Sequence, residues 1–488
     1  MTVDPGLRRL ALRTLLAAYP GPTPPGWALD LLTDGLAGFT LFGYNIDHPD
    51  QVAAATGRLR RARPDVLLAI DEEGGDVTRL AHATGSPYPG NAALGNVGDA
   101  ALTERVYRAI GFELAALDIN VDLAPTVDVN TADDNPIIGT RSFGADPHQV
   151  ATHSAAAVRG LQSAGVAACA KHFPGHGATV VDSHYELPTV DVAPDVLRAR
   201  DLPPFAAVIA AGVKAVMTAH IRVPALTADG PATFSRRVLV DLLRQEYGFT
   251  GTVVTDALEM KGAAVAAGGV GAAAVRALRA GADLLCIGAK VDAAVVESVA
   301  GHIASALDTG QLDRARVEEA AGRVGELAGW AVVSASGSEQ PGGLGYAAAR
   351  RAVRVEGTIE GLHRPLVVQL VSSSSIAEGR VPWGLTPYVE DGDHLRVVAA
   401  AADPGALRAR AGRRPIVIVG RHVHRLPGGP ELVEALAAEH PVTVVEMGWP
   451  SRWRPVGVRA FVVTYGASHA NGRAAAEVLG LGPAQLTG

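Results

Sequence analysis

The chain has 488 residues, more than one compact core accommodates and enough for two or three domains. Hydrophobic residues make up 48% and charged residues 19%, a balance that excludes a mainly disordered chain. The net charge of −7, with no basic run, leaves no electrostatic footprint for a nucleic-acid partner.

The first twenty residues are apolar but interrupted by Arg8, Arg9 and Arg13. No signal-peptide core or cleavage site follows, and no uninterrupted apolar span reaches membrane length. The expectation is a cytoplasmic protein with no membrane partner. From residue 8 to about 330, short apolar runs alternate with Ala/Leu/Arg-rich helical patterns. The runs are Leu10–Ala18, which reads equally as a helix, then Gly38–Gly43, Val66–Asp71, Ile119–Pro125, Val166–His172, Val213–His220, Gly251–Asp256 and Ala282–Gly288. Most are nearly continuous in apolar residues, as expected of parallel strands covered on both faces. Helical stretches such as Ala100–Ala116, Gln149–Ala164 and Ala264–Ala280 separate them. About eight such units predict an α/β fold, a TIM-like (β/α)8 barrel over residues 1–332.

Ser334–Leu344 (SASGSEQPGGL) is rich in Gly, Ser and Pro and predicts a linker over 333–345. Beyond it, apolar runs recur at Leu366–Val371, Leu395–Ala400, Ile416–Gly420, Val442–Met447 and Phe461–Tyr465, with helical patterns at Glu431–Glu439 and Gly472–Leu479. They predict a smaller α/β sandwich domain over 346–488. The two cysteines, Cys169 and Cys286, each sit inside an apolar run, where a buried free thiol is expected. No Cys-x-x-Cys or other metal-ligand spacing appears, so neither a metal nor a cofactor is expected.

Several runs of the first domain end alike. Asp71, Lys171 with His172, His220 and Asp256 each close an apolar run. A barrel's active site is built at the C-terminal ends of its strands, so these groups predict one convergent site. The most informative stretch is Lys171–His184, KHFPGHGATVVDSH, a Gly/Pro-rich loop carrying His176, Asp182 and His184. Asp182 and His184 are two positions apart, which in extended backbone puts both side chains on one side. A carboxylate there fixes the imidazole tautomer and stabilises its cation. Such a pair suits a group that must act first as acid and then as base near neutrality; a structural Asp–His hydrogen bond is the alternative. In Gly248–Met260, GFTGTVVTDALEM, a strand delivers Asp256 at its end. That carboxylate can attack an anomeric carbon to form a covalent glycosyl-enzyme, or cap a following helix. In Asp71–Arg79, DEEGGDVTR, the Gly74–Gly75 pair allows a tight turn that lets Asp71 and Arg79 address one ligand, or simply pair with each other.

Together these segments resemble glycoside hydrolase family 3, in its β-N-acetylglucosaminidase branch. The resemblance runs from Arg8 to about residue 330. It rests on K-H-F-P-G-H-G (Lys171–Gly177) followed by D-S-H (Asp182–His184), on V-M-T-A-H-I (Val216–Ile221), P-A-T-F-S (Pro231–Ser235) and T-D-A-L-E-M (Thr255–Met260). Upstream, A-P-T-V-D-V-N (Ala124–Asn130) and R-S-F-G (Arg141–Gly144) fit the same order. The resemblance implies Asp256 as nucleophile, His184 as acid/base and Asp182 as its orienting carboxylate. It implies that Lys171, His172 and Asp71 bind sugar hydroxyls and that Arg79 and Arg141 line the same pocket. His176 would position the loop, and Met217 and His220 would line the pocket floor. One position departs from the pattern: Asp76 stands where the family has a basic residue.

The implied activity is a retaining exo-β-N-acetylglucosaminidase working by double displacement on a small carbohydrate, a muropeptide or chitin-derived oligosaccharide. A phosphorylase resolving the same intermediate with phosphate is an alternative, since an imidazole base would not repel a phosphate dianion. An inactive carbohydrate-binding protein is a second. A monomer or homodimer is expected.

Overall fold

A computed structural model describes residues 4–289, 291–333, 342–389 and 393–481. The chain forms two compact units. One comprises Met1–Glu73, Ala100–Ile138 and Gly144–Pro341; the other comprises Gly74–Asp99, Gly139–Phe143 and Gly342–Gly488.

The first unit is built on eight parallel strands: β1 (Leu15–Ala17), β2 (Gly38–Leu41), β3 (Leu67–Ile70), β4 (Val121–Asp122), β5 (Ala167–Phe173), β6 (Ala215–Thr218), β7 (Thr252–Thr255) and β8 (Leu285–Cys286). They pair in the order β7-β6-β5-β4-β3-β2-β1-β8, and a bridge between Val254 and Leu284 joins the two ends into a barrel. Every residue of these strands is buried, because side chains point alternately into the barrel and onto the surrounding helices. Leu67 and Ala69, Ala167 and Cys169, and Ala215 and Met217 fill the interior in i, i+2 pairs. The helix Arg314–Val333 sends Val324, Leu327 and Ala328 into the same core. At the N-terminal end of β8, the fully buried Asp283 takes ion pairs from Arg244, Arg316 and Arg323 and the N–H of Val253.

One open reading is resolved and one expected element differs. The Leu10–Ala18 run holds the end of the helix Pro5–Leu12 and then the short β1. Asp4 caps that helix by accepting the Leu7 N–H, and Pro5 occupies its first turn. The expected helix Ala264–Ala280 is two helices, Lys261–Ala267 and Val270–Ala280, bent by 93° at Gly268–Gly269. A glycine pair has the propensity to break a helix. No single helix among the described residues is long and apolar enough to cross a membrane.

The second unit carries a six-stranded sheet of β9 (Arg354–Gly357), β10 (Leu366–Leu370), β11 (Asp393–Val397), β12 (Ile416–Gly420), β13 (Val442–Glu446) and β14 (Ala460–Val463). Its order is β11-β10-β12-β13-β14-β9. The five apolar runs expected there form its parallel strands; β9, antiparallel to β14, is exposed along its length and gives no apolar run to read. Residues 334–341 of the expected linker lie outside the described residues.

Asp76 belongs to this unit. Its carboxylate accepts the Thr140 hydroxyl and the Ala467 N–H, both at 2.7 Å, and lies 3.5 Å from the buried Arg421 guanidinium. Arg421 also binds Glu378 at 2.6 Å. The acidic residue at this position is thus matched by a buried cation ahead of β13, and the charge reversal noted in the sequence is locally compensated.

Candidate active site

The site grows from the C-terminal ends of the barrel strands, where apolar interior gives way to charge. After β3 come Asp71 and Glu73, and β5 delivers Lys171. The Lys171 ammonium, almost wholly buried, pairs with Asp71 Oδ1 at 2.7 Å and Glu73 Oε1 at 2.8 Å. Two carboxylates offset the cost of burying one ammonium; losing a partner from such a buried pair typically costs about 3–5 kcal/mol.

The next residue, His172, is aligned by Asp128, which sits on the loop beyond β4. Asp128 Oδ2 lies 2.7 Å from His172 Nδ1, and Oδ1 accepts the N–H groups of His172 (3.3 Å) and His176 (2.6 Å). Burial alone would raise the Asp128 carboxyl; the neighbouring His172 and His176 outweigh it and hold the group below its ordinary range. A single buried anion therefore sets both the first imidazole and the start of the following loop.

That loop is braced from within. His176 has Thr179 Oγ1 at 2.7 Å from Nδ1 and Ser183 Oγ at 3.1 Å from Nε2. Burial, reinforced by the charge of His172, lowers its pKa to about 4, so it is a neutral brace near pH 7. Gly177 passes so close to the β4 loop that a Cβ there would lie 1.9 Å from the Val129 carbonyl oxygen. The loop ends in the Asp182–His184 pair. Asp182 Oδ1 lies 2.7 Å from His184 Nδ1 and accepts the His184 N–H at 2.9 Å. Burial pushes Asp182 up, but the bonds from His184 win and hold it low. The intervening Ser183 carbonyl accepts the N–H of Gly262 at 3.3 Å, tying this loop to the segment that follows β7.

Asp256 stands at the end of β7. Its N–H reaches the Thr218 carbonyl at 3.3 Å, and its Oδ1 accepts the Ala257 N–H at 2.8 Å. It does not cap a helix: the next helix starts at Lys261, with Met260 as its cap residue. Burial would raise its pKa, but the charges of His220, His172 and His184 lower it below the ordinary carboxylate value. Asp256 is therefore ionised at neutral pH and shares an electrostatic field with the imidazole of the dyad.

His220, fully buried after β6, faces Thr233 Oγ1 at 2.7 Å through Nδ1 and the Ala257 carbonyl at 3.1 Å through Nε2. A carbonyl only accepts, so Nε2 carries the hydrogen. Burial lowers the pKa of this ring, against the opposing pull of the Asp256 charge. Met217, 4% exposed, packs in the barrel core beneath. Arg79 and Arg141 fall in the second unit. There Arg79 donates to the Ala377 carbonyl at 2.9 Å, and the buried Arg141 receives the Asn91 amide on its carbonyl at 2.7 Å. Among the described residues, no group of three or more His, Cys, Asp or Glu side chains is arranged to hold a metal ion.

Three residues with site contacts were not singled out from the sequence: Glu73, Asp128 and Thr233. Each lies within a motif already noted (DEEGGD, APTVDVN and PATFS), but their partners are distant in the chain. Asp128 is 44 residues from His172.

Comparison with known proteins agrees with this architecture. Residues 28–327 match the model for "Glycosyl hydrolase family 3 N terminal domain". A β-hexosaminidase A of Pseudoalteromonas piscicida is 37% identical over 318 residues, 60% of this chain and 53% of that protein, so the chain spans about half the length of that relative. A β-hexosaminidase of Methylococcus capsulatus is 37% identical over 279 residues, 56% of this chain and 83% of the other. A solved structure of a family 3 β-N-acetylglucosaminidase from Paenibacillus sp. FPU-7 superposes with a TM-score of 0.88 at 32% identity, covering 98% of this chain and 97% of that one. The barrel with its strand-end site and a family model that covers well over half the sequence lead to one assignment: this chain belongs to glycoside hydrolase family 3.

Proposed function

We propose that the chain is a retaining exo-β-N-acetylglucosaminidase acting by double displacement on terminal β-linked N-acetylglucosamine. The observation that carries this reading is the Asp182–His184 pair, 2.7 Å apart, on a loop tied through Ser183 to the segment beginning at Asp256. An acid/base and a nucleophile that work on one bond must come close to each other, and a tie between their two segments supports that reading.

With Nδ1 engaged by Asp182, His184 Nε2 holds the proton that passes to the glycosidic oxygen. Asp256 Oδ1 is engaged by Ala257, so Oδ2 attacks the anomeric carbon as the bond to the leaving oxygen breaks. The resulting glycosyl ester is then opened by water, which gives its proton to neutral His184 Nε2 and restores the Asp256 carboxylate. Asp71, Lys171 and His172 hold the hydroxyls of the bound sugar, and the mutual charge of Lys171 and Asp71 keeps both oriented before substrate arrives. The names of the β-hexosaminidase relatives and of the superposed β-N-acetylglucosaminidase support the N-acetylated substrate. Two buried free thiols, Cys169 and Cys286, support a cytoplasmic setting, where muropeptide fragments and chitin disaccharide are both available as substrates.

A 5-fluorinated N-acetylglucosaminyl trap should label Asp256, and Asp256→Ala should abolish labelling; label carried by another residue rejects the nucleophile. Because the acid/base is an imidazole, phosphate is a second acceptor to test. Product analysis on chitobiose and on a muropeptide fragment, with and without phosphate, separates hydrolysis from formation of a sugar 1-phosphate.

A further inference from the structure

The barrel rim beside Asp256 carries an aromatic pair and a carboxyl that these steps do not use. After β2 the chain makes a tight turn, Gly43–Asn45. The Asn45 side chain locks it, donating to the carbonyls of Tyr19 (2.9 Å) and Gly21 (2.7 Å) and accepting the Phe42 N–H (2.9 Å). The locked turn sets Phe42 and Tyr44 in a stack, with ring centroids 5.6 Å apart and planes 19° from parallel. Tyr44 is nonetheless 41% exposed. Its hydroxyl donates to the Ala289 carbonyl, and the N–H of the same Ala289 donates to Glu259 Oε1 at 3.1 Å.

Glu259 lies across Gly288, whose φ is +105° and where a Cβ would fall 2.1 Å from the Glu259 carboxyl carbon. Any side chain there would push that carboxyl aside, and the positive φ itself favours glycine. The loops after β2, β7 and β8 thus meet at one residue, Ala289, which brings the exposed Tyr44 ring and the Glu259 carboxyl together. Glu259 is three residues beyond Asp256, and the Ser183–Gly262 tie, three residues further on, brings the His184 loop to the same segment. Burial raises the Glu259 pKa; the charge of Asp256 adds to this and that of His184 works against it, so all three share one field. In the proposed mechanism His184 protonates the leaving oxygen, and Glu259 lies in its field on the segment to which the His184 loop is tied.

We propose that Tyr44, Phe42 and Glu259 form the subsite for the leaving group, recognising it as a second pyranose ring. The exposed ring of the stacked pair takes the apolar face of that sugar, and the Glu259 carboxyl bonds its hydroxyls. This inference rests on the N-acetylglucosaminidase reading. The test compares kcat/KM on N,N′-diacetylchitobiose with that on methyl N-acetyl-β-glucosaminide, whose leaving group is too small to fill the subsite. The ratio of the two should fall about ten-fold in Tyr44→Ala and in Glu259→Ala, and Tyr44→Phe, which keeps the ring, should retain it. A wild-type ratio in both alanine variants overturns the subsite. A wild-type enzyme that turns over neither glycoside overturns the N-acetylglucosaminidase reading instead, so the two failures are distinct.

Discussion

His184, the proposed acid/base, is held by the Asp182 carboxylate on a loop that His176 braces through Thr179 and Ser183. General acid help of this kind is typically worth ~10²–10⁴-fold, and its value depends on how much the leaving oxygen needs a proton. His184→Ala should therefore lose about that factor on chitobiose but far less on a dinitrophenyl glycoside, whose phenolate departs unaided. A series of leaving groups reads this directly; an equal loss along the series would mean that His184 is not the acid. At this scale the sequence was partly legible. Asp256, Lys171 and the Asp182–His184 pair lie at strand ends or two positions apart, so local periodicity finds them. Asp128 and Glu73 act on partners far along the chain, and spacing carries no such information.

Among the elements, barrel strands could be read because both faces are buried, which leaves an apolar run with no polar alternation. Leu10–Ala18 reads as helix or strand alike, and β9 gives no run to read. The first holds the end of Pro5–Leu12, a helix begun by Asp4 and Pro5 upstream of the run, and all of β1. The second is an exposed edge with no buried face at all. The loop Lys171–His184 depends on a close backbone approach that composition marks only as a glycine. Gly177→Ala would drive a Cβ onto the backbone of Val129, which cannot turn aside as a side chain would. A loss of about 1–3 kcal/mol follows from such overpacking. The variant should show a lower Tm and a matching fall in kcat/KM; an unchanged Tm would show that the two backbones do not run so close.

At the scale of the whole molecule, one buried group in each unit responds to acid in the opposite direction to the other. Burial lowers His176 to about 4 from an ordinary 6.5, so between these values the unfolded chain binds more protons at this site and its contribution to the barrel is lost as pH falls. Glu446, buried at the end of β13 and accepting the N–H groups of His422, Val423 and Gly448, is raised by its burial to about 7 from 4.5. There the folded state binds more protons, so the contribution of Glu446 to the second unit is lost as pH rises through its window, about 4.5 to 7. Each shift corresponds to roughly 3 kcal/mol across its range. Denaturant unfolding from pH 4.5 to 7 should find Glu446→Gln gaining on the wild type by up to about that amount. A gap that stays constant with pH would remove Glu446 as the cause. The second unit also has an unusual order of synthesis. Asp76 is made some 345 residues before the Arg421 that neutralises it and still longer before the Ala467 amide that binds it. At the usual pace of translation that is a wait on the order of tens of seconds. A nascent chain halted near residue 333 would therefore carry Asp76 without the Arg421 and Ala467 partners that hold it in the finished fold.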